Sequence, residues 1–355
     1  YAAQCGKKPV VLAGRNAHKA FVNACALLDI GIEWIYPDDE QSYIACNITA
    51  QQISERLAGQ NGRITAVYIT SPDYLGNMQD IAAIARACHE SGALLSVDNA
   101  HGAYLKFLPT PMHPMDLGAD ICCDSAHKTL GVITGGAYLH ISVSAPAVLA
   151  ERAKASFSVF GTSSPSYLIL QSLDAANGTT EAFRNELRTF LPAADALKAK
   201  LAAHGFELAG GEALKLTLKP KSFGYSGQDI AATLEAANIY PEFYDPDYIV
   251  LMLSPRHSER ELDALCDTLC SLPRRAPIVS APPRMPRPER AISPREALLA
   301  AAEKVPLLRC LGRISAASAI GCPPAIPIVI MGERINSAAI ACLEYYGIES
   351  CMVVK

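Results

Sequence analysis

Over its first 145 residues the chain alternates short apolar runs with stretches of helical period, a rhythm that few architectures accommodate. "PVVLAG" (9–14) reads as a strand and "NAHKAFVNACALLD" (16–29) as a helix. "EWIYP" (33–37) precedes "TAQQISERLAG" (49–59), where Thr49 is placed as an N-cap. "ITAVYITSP" (64–72) leads into "DIAAIARACHESG" (80–92), opened by Asp80 and closed by Gly92. "ALLSVDNA" (93–100), "ADICCDS" (119–125) and "GGAYLHIS" (135–142) complete the series. Strands joined by helices at this spacing predict an α/β fold, a mainly parallel sheet with helices on both faces. Such sheets bind ligands beyond the carboxyl ends of their strands. Asp98 and Lys128 both fall at or just past such ends, so they can converge.

Lys128 is the residue that most needs an explanation. It lies in "DSAHKTLG" (124–131), between the apolar runs "ADICC" and "GVITGGAYLHI". Lysine is seldom buried without a partner, so it either snorkels to water or occupies a pocket for chemistry. The convergence with Asp98 favours the pocket.

Beyond the sheet, residues 146–204 are mostly helical in pattern. Strand-like "ALKLTLKP" (213–220), helix-like "DIAATLEAANI" (229–239), strand-like "YIVLMLSP" (248–255) and helix-like "ERELDALCDTLCSL" (259–272) form a small α+β unit. The segment 273–294, rich in proline and arginine, cannot sustain a helix and reads as an extended connector with solvated arginines. A last unit, 295–355, reads as helix, proline-rich turn, strand and helix. This divides the chain into 1–190, 191–272, 273–294 and 295–355.

Composition excludes several functions. A net charge of −4 gives no electrostatic basis for binding nucleic acid or an anionic membrane. No apolar run approaches the roughly 18 residues of a transmembrane helix, and the start lacks the features of a signal peptide. The twelve cysteines show neither zinc-ligand spacing nor a disulfide framework, so no metal is expected and reduced thiols in the cytoplasm are.

A lysine amine can form a Schiff base with an aldehyde cofactor, of which pyridoxal 5'-phosphate (PLP) is the common one. PLP needs a carboxylate to hold its pyridine nitrogen protonated, donors for its phosphate and a flat group over its ring. Asp98, thirty residues before Lys128, supplies the first. Ser125 and His127 flank Lys128 where a phosphate could sit, and His18 follows another strand end. Taken singly, His18 also fits a helix-start histidine in water, His127 a loop-positioning residue and His140 a structural histidine.

Six blocks now occur in order: "GRNAHKA", "YITSPDYLGNMQDI", "VDNAHGAYLKF", "GADICCDSAHKTLGVITGGAYLHI", "GTSSPSYLILQSLD" and "GRISAASAIGCPPAIPIVIMGE". Together they resemble the Orn/Lys/Arg decarboxylases, over nearly the whole chain. The resemblance implies the PLP fold type I, an aspartate aminotransferase-like major domain, with a small α+β domain and a C-terminal α/β unit. It implies that Lys128 is the Schiff-base lysine, Asp98 the pyridine-nitrogen partner and His18 the ring-stacking residue. Ser125 and His127 would lie at the phosphate and His101 would line the pocket. Thr162 and Ser163 would reach a neighbouring subunit's cofactor, implying a homodimer or higher homo-oligomer. Glu242 and Glu333 are candidates, by resemblance only, for the distal cation of a basic substrate; each is otherwise a solvated or structural carboxylate.

The sequence departs from the family at three places. The phosphate-binding loop is expected upstream of Tyr1, so the chain reads as lacking part of its N-terminal segment. Ala317 stands where a glutamate is usual, and "CPPA" (322–325) where Tyr-Pro-Pro-Gly is usual. Asn99 replaces a frequent acidic residue. The implied activity is decarboxylation of arginine, lysine or ornithine, releasing CO2 and a polyamine-precursor amine. Alternatives are another PLP reaction (aminotransfer or C–S/β-elimination) and a non-catalytic decarboxylase-like protein.

Overall fold

Every strand expected in the first 145 residues forms, and together they build one sheet of six. The computed structural model describes residues 1–2, 6, 8–37, 42–317 and 324–355. The strands are β1 (Val10–Gly14), β2 (Gly31–Ile35), β3 (Ala66–Thr70), β4 (Leu94–Asp98), β5 (Ile121–Asp124) and β6 (Tyr138–Ile141). Their order is β2-β1-β3-β4-β5-β6, parallel except for the antiparallel edge strand β6. Helices α1 (Lys19–Leu28), α2 (Ala50–Leu57) and α3 (Ile81–Glu90) make the crossovers between the parallel strands.

Local chemistry fixes the ends of these helices. Thr49 Oγ1 accepts the Gln52 amide at 3.2 Å while Gln52 Oε1 accepts the Thr49 amide at 2.9 Å, a reciprocal capping box. Asp80 Oδ1 accepts the Ala83 amide at 3.0 Å, and Gly92 takes the left-handed conformation at φ 70° that stops α3. Ile53 of α2, Ile81 and Ile84 of α3, and Leu12, Val67 and Leu95 of the sheet share one buried cluster. That burial holds helices and sheet together.

The one-turn helix α4 (Ala126–Thr129) follows β5 directly. Helices α5 (Ala147–Phe160) and α6 (Tyr167–Gly178) come next and bury no residue, leaving Phe157, Phe160, Tyr167 and Leu168 exposed. The long α7 (Thr180–His204) leads to a second, antiparallel sheet, in which β7 (Glu207–Ala209) and β8 (Lys215–Lys219) precede β9 (Phe243–Tyr244) and β10 (Ile249–Met252), in the order β7-β8-β10-β9. Helices α8 (Gly227–Ala236) and α9 (Glu259–Cys270) cover it. Tyr104 and Leu105, just past β4, join the same cluster as Leu216 and Leu251, so the segment leaving the first sheet packs into the core of the second.

The proline- and arginine-rich run stays out of helix until Ser293 caps α10 (Pro294–Leu299). Its arginines are exposed, yet they do more than sit in water: Arg275 lies over the Tyr225 ring at 4.2 Å and Arg287 over Tyr36 at 4.9 Å. The last unit differs from expectation. After β11 (Ala302–Pro306) and α11 (Ser337–Tyr345) the chain ends on a strand, β12 (Ser350–Val354), antiparallel to β11. Five residues carry too little periodicity to reveal a partner more than forty positions away.

Candidate active site

The site assembles where β4 and β5 end side by side. Asp98 closes β4, and its carboxylate is held at both oxygens. Oδ2 accepts from the Tyr68 hydroxyl at 2.8 Å and Oδ1 from the Ala100 amide at 3.1 Å. Tyr68 comes from β3 and stacks on Phe21 of α1, centroids 4.0 Å apart. After β5 the chain turns at Ser125, half-buried, into α4, which carries His127 and Lys128. Lys128 Nζ lies 3.1 Å from His101 Nε2. The expected approach of residues 98–101 and 125–128 is therefore present.

His101 is 4% exposed, and burial, then the charges of Lys215 and Lys128, push it well below the usual histidine range. The neutral ring accepts from the Lys128 ammonium at Nε2, while its Nδ1 is buried with no partner among the described residues. His18 caps α1, its Nδ1 accepting the Ala20 amide at 3.1 Å. Burial lowers its pKa; Asp98 opposes and Lys128 and Lys19 add to the lowering, so His18 is within electrostatic reach of both Asp98 and Lys128. His127 donates Nδ1–H to the Gly136 carbonyl at 3.0 Å, which leaves Nε2 as the atom that can accept a proton.

The two glutamates part company. Glu242 Oε1 accepts from the Tyr74 hydroxyl at 3.0 Å, and the Tyr74 ring meets His101 edge-on at 5.1 Å. Glu242 thus connects the second sheet to the Lys128 cluster. Glu333 is buried, with Oε2 2.9 Å from both Arg15 Nη2 and the Ile330 amide. Its carboxylate ties the end of β1 to the C-terminal unit, and none of these partners belongs to the Lys128 cluster. Of the two, Glu242 alone is linked to the Lys128 cluster. Thr162 and Ser163 are exposed between α5 and α6; Thr162 Oγ1 accepts the nearby Ser164 amide, and among the described residues neither bonds to the Lys128 cluster.

Sequence reasoning missed Tyr68, Tyr74 and Lys215. Lys215 of β8 is buried, 3.2 Å from Glu212 and 3.1 Å from the Asp73 carbonyl, beside the Tyr74 ring. Nothing local marks these residues, because each reaches the site from a different element. Of the "CPPA" block, Cys322 and Pro323 lie outside the described residues. Ala325 is buried at φ 57°, and its carbonyl accepts the Lys19 amide at 2.8 Å, beside the His18 cap. A left-handed alanine is strained where glycine is not. Ala325→Gly is therefore expected to raise stability by about 0.5–1 kcal/mol in urea unfolding, net of the added unfolded-state entropy.

The cluster offers one amine, one carboxylate and neutral imidazoles at the carboxyl end of a parallel sheet. Asn16 Nδ2 and Thr70 Oγ1, at neighbouring strand ends, and Thr129 Oγ1 of α4 are also buried with no partner among the described residues. Buried polar atoms of this kind suit a polar ligand. Among the described residues no helix is long and apolar enough to cross a membrane.

Residues 1–219 match the model of the Orn/Lys/Arg decarboxylase major domain, and residues 281–350 that of the Orn/Lys/Arg decarboxylase C-terminal domain. An arginine decarboxylase of Halalkalibacterium halodurans is 30% identical over 359 residues, covering 93% of this chain and 71% of that protein. An arginine decarboxylase of Bacillus subtilis is 28% identical, covering 96% and 73%. Lysine decarboxylase A from Pseudomonas aeruginosa superposes with a TM-score of 0.80 at 17% identity, over 99% of this chain and 67% of that one. The last likeness establishes the fold.

Proposed function

The chain belongs to the Orn/Lys/Arg decarboxylase family, and from that membership we propose that it removes the carboxyl group of a basic amino acid as CO2, with PLP as cofactor. The observation that carries this reading is the Lys128 amine at 3.1 Å from a buried neutral His101, on the turn that follows β5, the strand paired with that of Asp98. Family and relatives favour decarboxylation over aminotransfer, β-elimination or a non-catalytic role.

The residues fit PLP: an amine for its aldehyde, a fixed carboxylate for its ring nitrogen and buried polar atoms with no partner among the described residues. When bound, PLP supplies an electron-withdrawing ring that takes up the electron pair released as the Cα–carboxylate bond breaks. Asp98 would keep the ring nitrogen protonated, and Tyr68 and the Ala100 amide keep Asp98 in place. His18 would cover the ring, and Ser125 would hold the phosphate. Lys128 would hold the cofactor before substrate arrives, and Lys128 or His127 would return a proton to Cα. His101 lines the pocket and accepts from the Lys128 ammonium. Glu242, held by Tyr74, is the carboxylate placed for the distal cation of arginine, lysine or ornithine.

Carboxyl-labelled arginine, lysine and ornithine, each offered with added PLP, test the reading. Labelled CO2 from one of them is expected; release from none, with PLP bound, would overturn it. Asp98→Asn is expected to lower kcat by about 10²–10³-fold with little change in KM, because a preorganised charge is lost where electrons accumulate.

The proposal includes a homodimer. Helices α5 and α6 have no fully buried residue within one chain, and the loop carrying Thr162 and Ser163 lies between them. A second copy covering Phe160 and Leu168 would take Thr162 and Ser163 to its own cofactor. Phe160→Glu with Leu168→Glu is expected to shift sedimentation to the monomer and to weaken PLP retention; an unchanged dimer would place the interface elsewhere. The division at 190, 272 and 294 belongs to the same reading, as does residence in the cytoplasm, supported by free thiols such as Cys25, Cys88 and Cys351.

A further inference from the structure

Asp124 closes β5, four residues before Lys128, and is a buried carboxylate with both oxygens engaged. Oδ1 accepts from Asn99 Nδ2 at 2.7 Å and lies 3.5 Å from the Cys122 thiol. Oδ2 accepts from His113 Nε2 and from His140 Nε2, each at 2.9 Å. Burial works to raise the Asp124 pKa, but the hydrogen bonds from His113, His140 and Asn99 outweigh it and hold the group ionised.

Two imidazoles and a carboxylate this close form a donor set that a divalent cation could use. The tautomer argues otherwise. His113 Nδ1 accepts the Met115 amide at 3.3 Å, so the neutral ring carries its proton on Nε2, facing Asp124. A metal-bound imidazole ordinarily donates through its second nitrogen, and His113 accepts there. The trio is complete as a hydrogen-bonded unit.

What that unit joins gives it a role. Asn99 directly follows Asp98, and its backbone amide donates to the Cys123 carbonyl at 3.0 Å. Asp124 directly precedes the turn that carries Lys128. A single side-chain bond, Asn99 to Asp124, therefore spans the two strand ends that bear the acid and the amine. We propose that Asn99 and Asp124, anchored by His113 and His140, are positioning residues that set Asp98 and Lys128 in register for PLP. The proposal rests on the PLP reading above. It requires one charge in the pair: a carboxylate at position 99 would face Asp124 Oδ1, and two buried carboxylates at that distance cannot both ionise. An exchanged pair would work. A side-chain amide at position 124 would accept both histidines at its oxygen and donate through its nitrogen to a carboxylate at position 99.

The test compares wild type, Asn99→Asp, Asp124→Asn and the Asn99→Asp/Asp124→Asn double variant, as PLP-loaded protein. It measures PLP affinity, the visible circular dichroism of bound PLP, and kcat and KM separately. Asn99→Asp is expected to weaken PLP binding about tenfold or more, to change the dichroic band and to lower kcat at nearly constant KM. The double variant is expected to recover all three to within about threefold. Asn99→Ala, which deletes the bond without adding a charge, covers the case where Asn99→Asp fails to fold; it should change the band and lower kcat severalfold. A double variant as impaired as the worse single variant would overturn the proposal. So would variants that only melt earlier while band and kcat stay fixed, or stoichiometric Co2+ binding abolished by His140→Ala. If wild type binds PLP but releases no CO2, the decarboxylase reading fails while the affinity and dichroism arms still judge this one.

Discussion

Lys128→Ala is expected to abolish CO2 release from every basic amino acid and to leave PLP removable by gel filtration. The substitution deletes the amine that holds the cofactor and one of the two groups placed to return a proton to Cα. A loss of about 10⁴-fold or more follows when both roles go together. The nearby Lys215 cannot take over, since its ammonium is committed to Glu212 and to the Asp73 carbonyl in a buried setting. The visible absorbance of bound PLP and the labelled-CO2 assay check the result in one preparation. A variant that kept its absorbance band through gel filtration would show that the cofactor is attached through another amine.

The second large effect is on stability. Arg15→Ala and Glu333→Ala are each expected to destabilise the fold by about 3–5 kcal/mol in urea unfolding, because either leaves the other partner buried and uncompensated. Arg15 is 1% exposed and also donates to the Ile328 carbonyl at 3.0 Å, with its guanidinium 4.9 Å from the Trp34 ring. Burial raises the Glu333 pKa against the pull of Arg15 and the Ile330 amide, so the pair carries a large desolvation cost. The double replacement Arg15→Met with Glu333→Leu is accordingly expected to recover much of the loss. If each single variant unfolded within about 0.5 kcal/mol of wild type, as ordinary surface substitutions do, the pair would not be the tie between β1 and the C-terminal unit.

These two predictions differ in how legible their residues are. Lys128 and Asp98 could be placed from the sequence because parallel strands all end on one side of the sheet, so two strand-end residues need only neighbouring strands to meet. Arg15 and Glu333 lie 318 positions apart, and each alone reads as a surface charge. Glu242 was named by resemblance, but its route to the site through Tyr74 was not visible. His140 was read as a structural histidine; that it shares Asp124 with His113 appears only in the folded chain.

The sequence by itself determined the alternation of β1 to β5 with α1 to α3, the caps at Thr49 and Asp80, and the strand-end positions of Asp98 and Lys128. Backbone hydrogen bonds, capping and apolar period act over a few residues, so local patterns express them fully. Tertiary structure alone decided the strand order, the pairing of β11 with β12, and the commitment of Glu333 to Arg15. It also decided the junction of Asn99 with Asp124. Those depend on which surfaces exclude water from one another and on which buried charges find partners, and both are set by the packed chain as a whole.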